Sequence, residues 1–240
     1  MKTMTLSAFL SRAGLCARRK SVELIKVGRI SVGGKIIDDP AFRVPEGDQV
    51  EFDGKPIKAA ELVYIAMNKP PRCVTTASDD LGRRTVLDFL GCDCKIRVYP
   101  VGRLDADTRG ILLLTNDGDL ALKLTHPKFH APKKYHVTLR DPLTQEIFER
   151  VRRGARLSDG LVKVDRAAIL DPTRKKVEIT LHSGKNRVVR RLFLQFGIKT
   201  AKLERIEFAG IASKGLPSGA WRMLRESEVR ALKKLVATNS

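Results

Sequence analysis

The chain has 240 residues, 42% of them hydrophobic, with 46 lysines and arginines against 27 acids and a formal net charge of +19. That length suffices for a folded core in one large domain or in a small and a medium one. The charge exceeds what solubility requires and calls for a polyanionic partner, with nucleic acid favoured over membrane because no apolar run approaches the roughly 18 residues of a spanning helix. The N-terminus, MKTMTLSAFL, lacks the long apolar core of a secretion signal, so the expected compartment is the cytoplasm. Cys16, Cys73, Cys92 and Cys94 show no zinc spacing and read as reduced structural thiols, the last two on a surface loop.

Residues 6 to 57 carry their own punctuation. Leu6, Phe9, Leu10 and Ala13 share a helical face ended by Gly14, and Arg18 to Val27 predicts a second helix ended by Gly28. Ile30 and Val32 then alternate up to a Gly33-Gly34 turn, and Val50 and Phe52 alternate further on. Between Arg12 and Lys35 basic residues crowd together, including Arg12, Arg18, Arg19, Lys20 and Arg29, with Glu23 as the lone acid. Such an imbalance leaves too few acids for i, i+4 pairing and points to a binding face rather than a merely solvated one. The polar stretch from Gly54 to Glu61 marks a boundary.

Beyond it, Tyr64 to Met67 reads as a strand stopped by Pro70-Pro71, and Thr85 caps a short helix through Leu90. Lys69, Arg83 and Arg84 are candidate phosphate contacts. The stretch VGRLDADTRGILLLTNDG, from Val101 to Gly118, reads as strand, polar loop and strand, with the loop braced at both ends. Asp105 in that loop has two open roles: it satisfies turn backbone, or it is a catalytic carboxylate beside a phosphate-binding Arg103. A calcium loop starting there fails, because Arg109 and Asn116 stand at its fifth and twelfth positions.

Asp119 to Leu124 predicts a helix, and Tyr135, Val137 and Leu139 a strand. Asp141-Pro142 opens a helix closed by Gly154, with strands to follow around 161–170 and 177–181. In SGKNRVVRRLFLQFG a turn leads into a helix carrying Leu192, Phe193 and Phe196 inward, with Lys185, Arg187, Arg190 and Arg191 in its first turns. Cations there oppose the helix dipole, so an anion compensates, either RNA phosphate or a carboxylate of the protein. Strands at 206–211 and 220–224 and a helix from Ser227 complete the chain. The absence of βαβ alternation, of a glycine-rich phosphate loop and of a Ser, His, Asp arrangement disfavours nucleotide-dependent and common hydrolytic chemistry.

Two resemblances rest on these motifs. LSAFLSRAGLCARRKSVELIKVGRISVGGKIIDDPAFRVPEGDQVEF resembles an S4 RNA-binding domain, which implies RNA binding by the helix pair; Cys16 stands where a capping serine is common. With YIAMNKP, VGRLDADTRGILLLTNDGDLA, KKYHVTL and SGKNRVVRRLF following in order, the whole chain resembles the RsuA/RluB/RluE/RluF family of ribosomal pseudouridine synthases. That implies an α+β protein: an S4-like domain at 4–57, a linker at 58–62, and a mixed, mainly antiparallel catalytic domain at 63–238. It implies isomerisation of a uridine in ribosomal RNA, in free RNA or an assembly intermediate, by a monomer without metal or organic cofactor. Asp105 falls at the catalytic aspartate, Tyr135 at a tyrosine stacked on the target base, and Arg190 at an arginine paired with the aspartate. Arg103 positions RNA, Lys69, Lys185 and Arg187 join the basic contacts, and Ile111 to Leu114 supply an apolar floor. Val188 and Ser183 depart from the glutamine and glutamate common there, which alters neighbouring hydrogen bonds. The rival reading is a noncatalytic RNA-binding protein serving ribosome assembly; DNA binding lacks a recognition-helix arrangement.

Overall fold

The computed structural model describes residues 4–91 and 96–238. Cys92 and Cys94 lie outside the described residues. The chain divides into two compact units, the first made of residues through Val63 with 96–98 and 116–118, the second of the remainder.

In the first unit, α1 (Leu6–Arg12) and α2 (Arg18–Lys26) precede a four-stranded antiparallel sheet of β1 (Ile30–Val32), β2 (Lys35–Ile36), β3 (Val50–Phe52) and β4 (Lys55–Ile57), in the order β2-β1-β3-β4. The core is small: Leu6, Leu10 and Ile25 from the helices meet Ile30, Val32, Val44 and Val50. Gly14 and Gly28 follow the two helices at φ +80 and +72, where a side chain would be strained. The N-cap of α2 is Ala17 rather than Cys16, and it carries no side-chain cap. The polar stretch after Phe52 is not all linker, because Gly54 turns the chain and β4 pairs back on β3.

The second unit is built on one sheet with the path β11-β12-β8-β13-β7-β5-β15. Its strands are β5 (Tyr64–Lys69), β7 (Arg109–Thr115), β8 (Lys133–Leu139), β11 (Arg166–Ile169), β12 (Lys176–Leu181), β13 (Thr200–Phe208) and β15 (Trp221–Met223), with β6 (Tyr99–Pro100) on β7 and β14 (Ile211–Ala212) on β13. All pairings are antiparallel except β13 with β7. From Gly110 to Thr115 the whole of β7 is buried, as expected of a central strand covered on both faces, whereas β8 buries only alternate residues.

The helices are α3 (Gly118–Thr125), α4 (Gln145–Arg153), α5 (Val188–Leu194) and α6 (Glu226–Thr238). One face of the sheet buries Ile111, Leu113 and Phe208 with Leu120 and Leu124 of α3 and Leu232 and Val236 of α6. A separate hairpin, β9 (Ala155–Leu157) and β10 (Gly160–Val162), follows α4. The strand expected around 161–170 is split into β10 and β11, and the one expected at 206–211 is the end of β13 followed by β14. Two further differences have local reasons. α4 begins after Thr144, whose hydroxyl caps Ile147 N at 3.2 Å, so Asp141-Pro142 precede it. At 87–89 the chain forms only a 3₁₀ turn, and the bond runs from Thr85 N to Asp88 Oδ2 at 2.8 Å instead of from a Thr85 cap.

Candidate active site

Asp105 sits in the loop between β6 and β7, and the residues on either side of it are tied down. Leu104 is held from both sides by Thr75, whose hydroxyl donates to its carbonyl at 2.8 Å and accepts from its amide at 3.3 Å. The Asp105 carbonyl accepts from Thr108 N at 3.0 Å, and the Ala106 carbonyl accepts from Arg72 N at 2.8 Å. Beneath the loop the Lys69 ammonium donates to the carbonyls of Pro70 at 3.0 Å, Ala106 at 3.1 Å and Thr108 at 2.8 Å. The aspartate is therefore presented on a frame with little freedom to shift.

Lys69 corrects the sequence reading. It is wholly buried, so it makes no contact with RNA. Burial lowers its pKa, opposed by the nearby Cys73, Asp105 and Asp107. A lysine at the end of β5 that points into the fold finds carbonyls rather than water, and those carbonyls fix its position.

A pocket of about 130 Å³ opens beside Asp105. Its wall includes Arg103, Asp105, Lys133, Tyr135, Arg187 and Arg205. Apolar cover comes from Val101, Leu104, Leu124, Val188, Val189, Leu203 and Phe208. Ile111 to Leu114, expected as the floor, are not among the lining residues; they are core positions of β7. A cavity of roughly 150 Å³ takes a benzene ring, so this one fits a single flat heterocycle.

Three strands bring the polar residues together in one row. Tyr135 of β8 pairs with Arg205 of β13, and Arg205 pairs with Gly110 of β7. Lys133 lies two residues before Tyr135 on the same face. A Cβ at Gly110, where φ is +110, would lie 2.2 Å from the Arg205 carbonyl oxygen, so only glycine lets β7 approach β13 this closely.

Arg205 and Lys133 escaped the sequence reading. Arg205 is 2% exposed, and its Nε donates to the Ile111 carbonyl at 2.8 Å. Burial lowers its pKa, and the adjoining Tyr135 works in the opposite direction. Lys133 donates to the carbonyls of Ala131 at 3.0 Å and His182 at 2.9 Å. Burial, helped by the charge of Arg205, pushes its ammonium down to about 8. The available signal was KKYHVTL, in which a lysine falls on the inward face of an alternating strand. Arg205 was hidden by a register shift between Arg205 and Glu207, which puts Arg205 and Phe208 on the same side against simple alternation.

The partner of Asp105 also differs from the expectation. Arg187 Nη1 lies 3.5 Å from Asp105 Oδ2, while Arg190 Nη1 donates to Thr200 Oγ1 at 3.0 Å. Arg187 precedes α5 as its N-cap with left-handed backbone, φ 47, which sets it apart from the helix and toward the loop. Arg190 lies within the helix and meets the start of β13. At 3.5 Å, with side chains 46% and 28% exposed, the Arg187–Asp105 pair is loose and worth under about 1 kcal/mol.

The remaining cations of that segment meet carboxylate and carbonyl groups of the protein. Arg191 pairs with Asp159 at 2.6 Å and holds its carboxyl below the usual range, and Lys185 Nζ donates to the Asp159 carbonyl at 2.6 Å. Lys185 thereby ties the pocket rim to the β9–β10 turn instead of standing free for phosphate. Arg103 is exposed at the mouth.

In the first unit Arg18 and Arg19 are exposed and in no ion pair among the described residues. Lys20 pairs with Glu23 at 2.7 Å, Arg29 makes a two-pronged pair with Asp53 and lies 4.5 Å over the Phe52 ring, and Arg12 Nε donates to the Ala60 carbonyl at 3.0 Å. The basic stripe is thus partly structural. Among the described residues no group of His, Cys, Asp and Glu is arranged to hold a metal ion, and no helix is long and apolar enough to cross a membrane.

Residues 63–195 match the family described as RNA pseudouridylate synthase, and residues 4–50 match the S4 domain. Ribosomal large subunit pseudouridine synthase B of Bacillus subtilis (strain 168) is 39% identical over 96% of this chain and 96% of its own. The dual-specificity RNA pseudouridine synthase RluF of Escherichia coli (strain K12) is 34% identical over 99% of this chain and 81% of its own. Among solved structures, a pseudouridylate synthase crystal structure superposes with a TM-score of 0.69 at 27% identity, covering 96% of this chain and 100% of that one.

Proposed function

The chain belongs to the RNA pseudouridylate synthase family, and on that premise we propose that it converts one uridine of large-subunit ribosomal RNA to pseudouridine, with Asp105 as catalytic carboxylate. The observation that carries this reading is that Asp105 of the β6–β7 loop and Tyr135 of β8, well apart in sequence, line one pocket sized for a single pyrimidine. The large-subunit assignment leans on the name of the Bacillus subtilis relative.

The target nucleotide leaves its stack and enters the pocket, since the reacting bond is out of reach inside a helix. Tyr135 supports the base. The C1′–N1 bond breaks, and the carboxylate of Asp105 meets the cationic carbon as nucleophile or as counter-charge. The base turns and C1′ rejoins it at C5. Composition is unchanged, so no electron acceptor is consumed. Arg187 is loosely paired with Asp105, the pairing that the family resemblance gave to Arg190; Arg190 instead holds α5 to β13 through Thr200. Arg103 at the mouth steers the strand. The S4-like residues 4–57 grip RNA through Arg18 and Arg19, and residues 63–238 do the chemistry, in a cytoplasmic monomer acting on ribosomal RNA or an assembly intermediate.

The test is to map pseudouridines in ribosomal RNA from cells lacking the protein and complemented with wild type or Asp105→Asn. We expect one large-subunit position to be lost and restored by wild type alone. Purified Asp105→Asn should bind RNA as wild type does and isomerise it more than about 10³-fold slower, since the change removes a reacting group and no phosphate contact. An unchanged map would refute the assignment and favour a noncatalytic RNA-binding role.

A further inference from the structure

Among the described residues, the buried side-chain atoms without a hydrogen-bond partner are Thr108 Oγ1, Arg190 Nε and Arg205 Nη2, and Thr108 and Arg205 both line the pocket. Folded interiors satisfy nearly all such groups, so a buried guanidinium with an idle nitrogen calls for a reason. Arg205 is also a charge without a counter-charge. It takes part in no ion pair among the described residues, and neither does Lys133 beside it. Their uncharged surroundings are alike: Phe208 lies under both, its ring centroid 4.6 Å from the Arg205 guanidinium and 5.5 Å from Lys133 Nζ. The acids nearest in sequence on β13 are engaged elsewhere, Glu204 with Arg109 at 2.8 Å and Glu207 with Lys134 at 3.5 Å. Asp105 is engaged with Arg187. Two buried cations therefore stand at one pocket whose lining carboxylate, Asp105, pairs with neither of them, and removing such charges from water is costly unless something repays it.

We propose that Arg205, assisted by Lys133, is a positioning residue for charge: it stabilises the pyrimidine as an anion when the bond to its sugar breaks. This rests on reading the site as a pseudouridine synthase. When C1′–N1 breaks, both bonding electrons remain on the base and spread over N1, O2 and O4, while the cationic C1′ faces Asp105. When C5 then bonds to C1′, the C5 proton is lost and N1 takes one up, so the product is an isomer. Between those two events the base is the missing anion of the pocket. Arg205 acts from beside Tyr135, its cross-strand neighbour, and a fixed charge in a water-poor site needs no reorganisation to act.

Fluorine at C5 makes the departing base a more stable anion, and so less dependent on help from the protein. The experiment compares single-turnover cleavage of the C1′–N1 bond in RNA carrying uridine or 5-fluorouridine at the target, for wild type, Arg205→Met, Arg205→Lys and Lys133→Met. Arg205→Met should be slower by about 100-fold on uridine and by about 10-fold or less on 5-fluorouridine, with RNA affinity unchanged and Arg205→Lys restoring most of the rate. A purely structural arginine would cost both substrates equally, and equal losses overturn the proposal. If Arg205→Met shows no cooperative melting, Lys133→Met provides the same comparison, with the same narrowing expected and equal losses again overturning it. A wild-type protein that isomerises no ribosomal uridine would instead sink the functional reading, and this inference with it.

Discussion

Lys69 illustrates how a charged residue beside a catalytic loop serves the loop rather than the ligand. Its ammonium satisfies three carbonyls, two of them from the segment that presents Asp105. Lys69→Met keeps the stem and removes the donors, leaving buried carbonyls bare at a cost of about 2–4 kcal/mol. A loop displaced by about 1 Å loses roughly 100-fold in rate, so we expect kcat to fall by about 10- to 100-fold. RNA affinity should hold, because no atom of Lys69 reaches the surface. Thermal melting, single-turnover rates and RNA titration check this; weaker RNA binding with an intact rate would mean that the residue touches the ligand after all.

At the scale of elements, the site depends on β7, β13 and β8 lying side by side, and Gly110 is the joint. A Cβ there would meet the Arg205 oxygen at 2.2 Å and its nitrogen at 2.7 Å, both backbone atoms that do not swing aside. Gly110→Ala should cost more than about 3 kcal/mol, lowering the melting temperature by roughly 10 °C. Gly184→Ala is the control: Gly184 lines the pocket, but its Cβ would meet nothing within 4 Å and should leave stability unchanged. Equal melting temperatures for the two variants would show that the strands can separate at that point.

Much at this scale was legible in the sequence. Alternation revealed β8, glycines revealed the ends of α1, α2 and α4, and the turn-bounded apolar run revealed β7. What escaped were matters of register and direction. No local pattern says that β13 shifts register after Arg205, that Lys69 points inward, or that Arg187, rather than Arg190 one turn later, turns toward Asp105. Each depends on a partner supplied by a remote segment.

The whole molecule carries a charge of +19, and the two units contribute differently to the proposed binding. In the second unit several candidate contacts are already spoken for, Lys69 by carbonyls and Lys185 and Arg191 by the β9–β10 turn. In the first unit Arg18 and Arg19 stand exposed at the start of α2, whereas Lys20 and Arg29 are paired. RNA affinity should fall linearly on a log–log plot against salt, with a slope of about −0.7 for each single-strand phosphate neutralised. Replacing Arg18 and Arg19 together by glutamine should make that slope shallower by about 1 to 2 and weaken binding across sequences. The same substitution at Arg29 should do less to the slope and more to stability, since it breaks the Asp53 pair and uncovers Phe52. At saturating RNA the single-turnover rate of the Arg18, Arg19 variant should match wild type, because neither residue lines the pocket. Titrations at several salt concentrations, run beside single-turnover assays, decide the matter: an unchanged slope, or a rate that falls at saturation, would show that α2 does not serve simply to hold RNA by its phosphates.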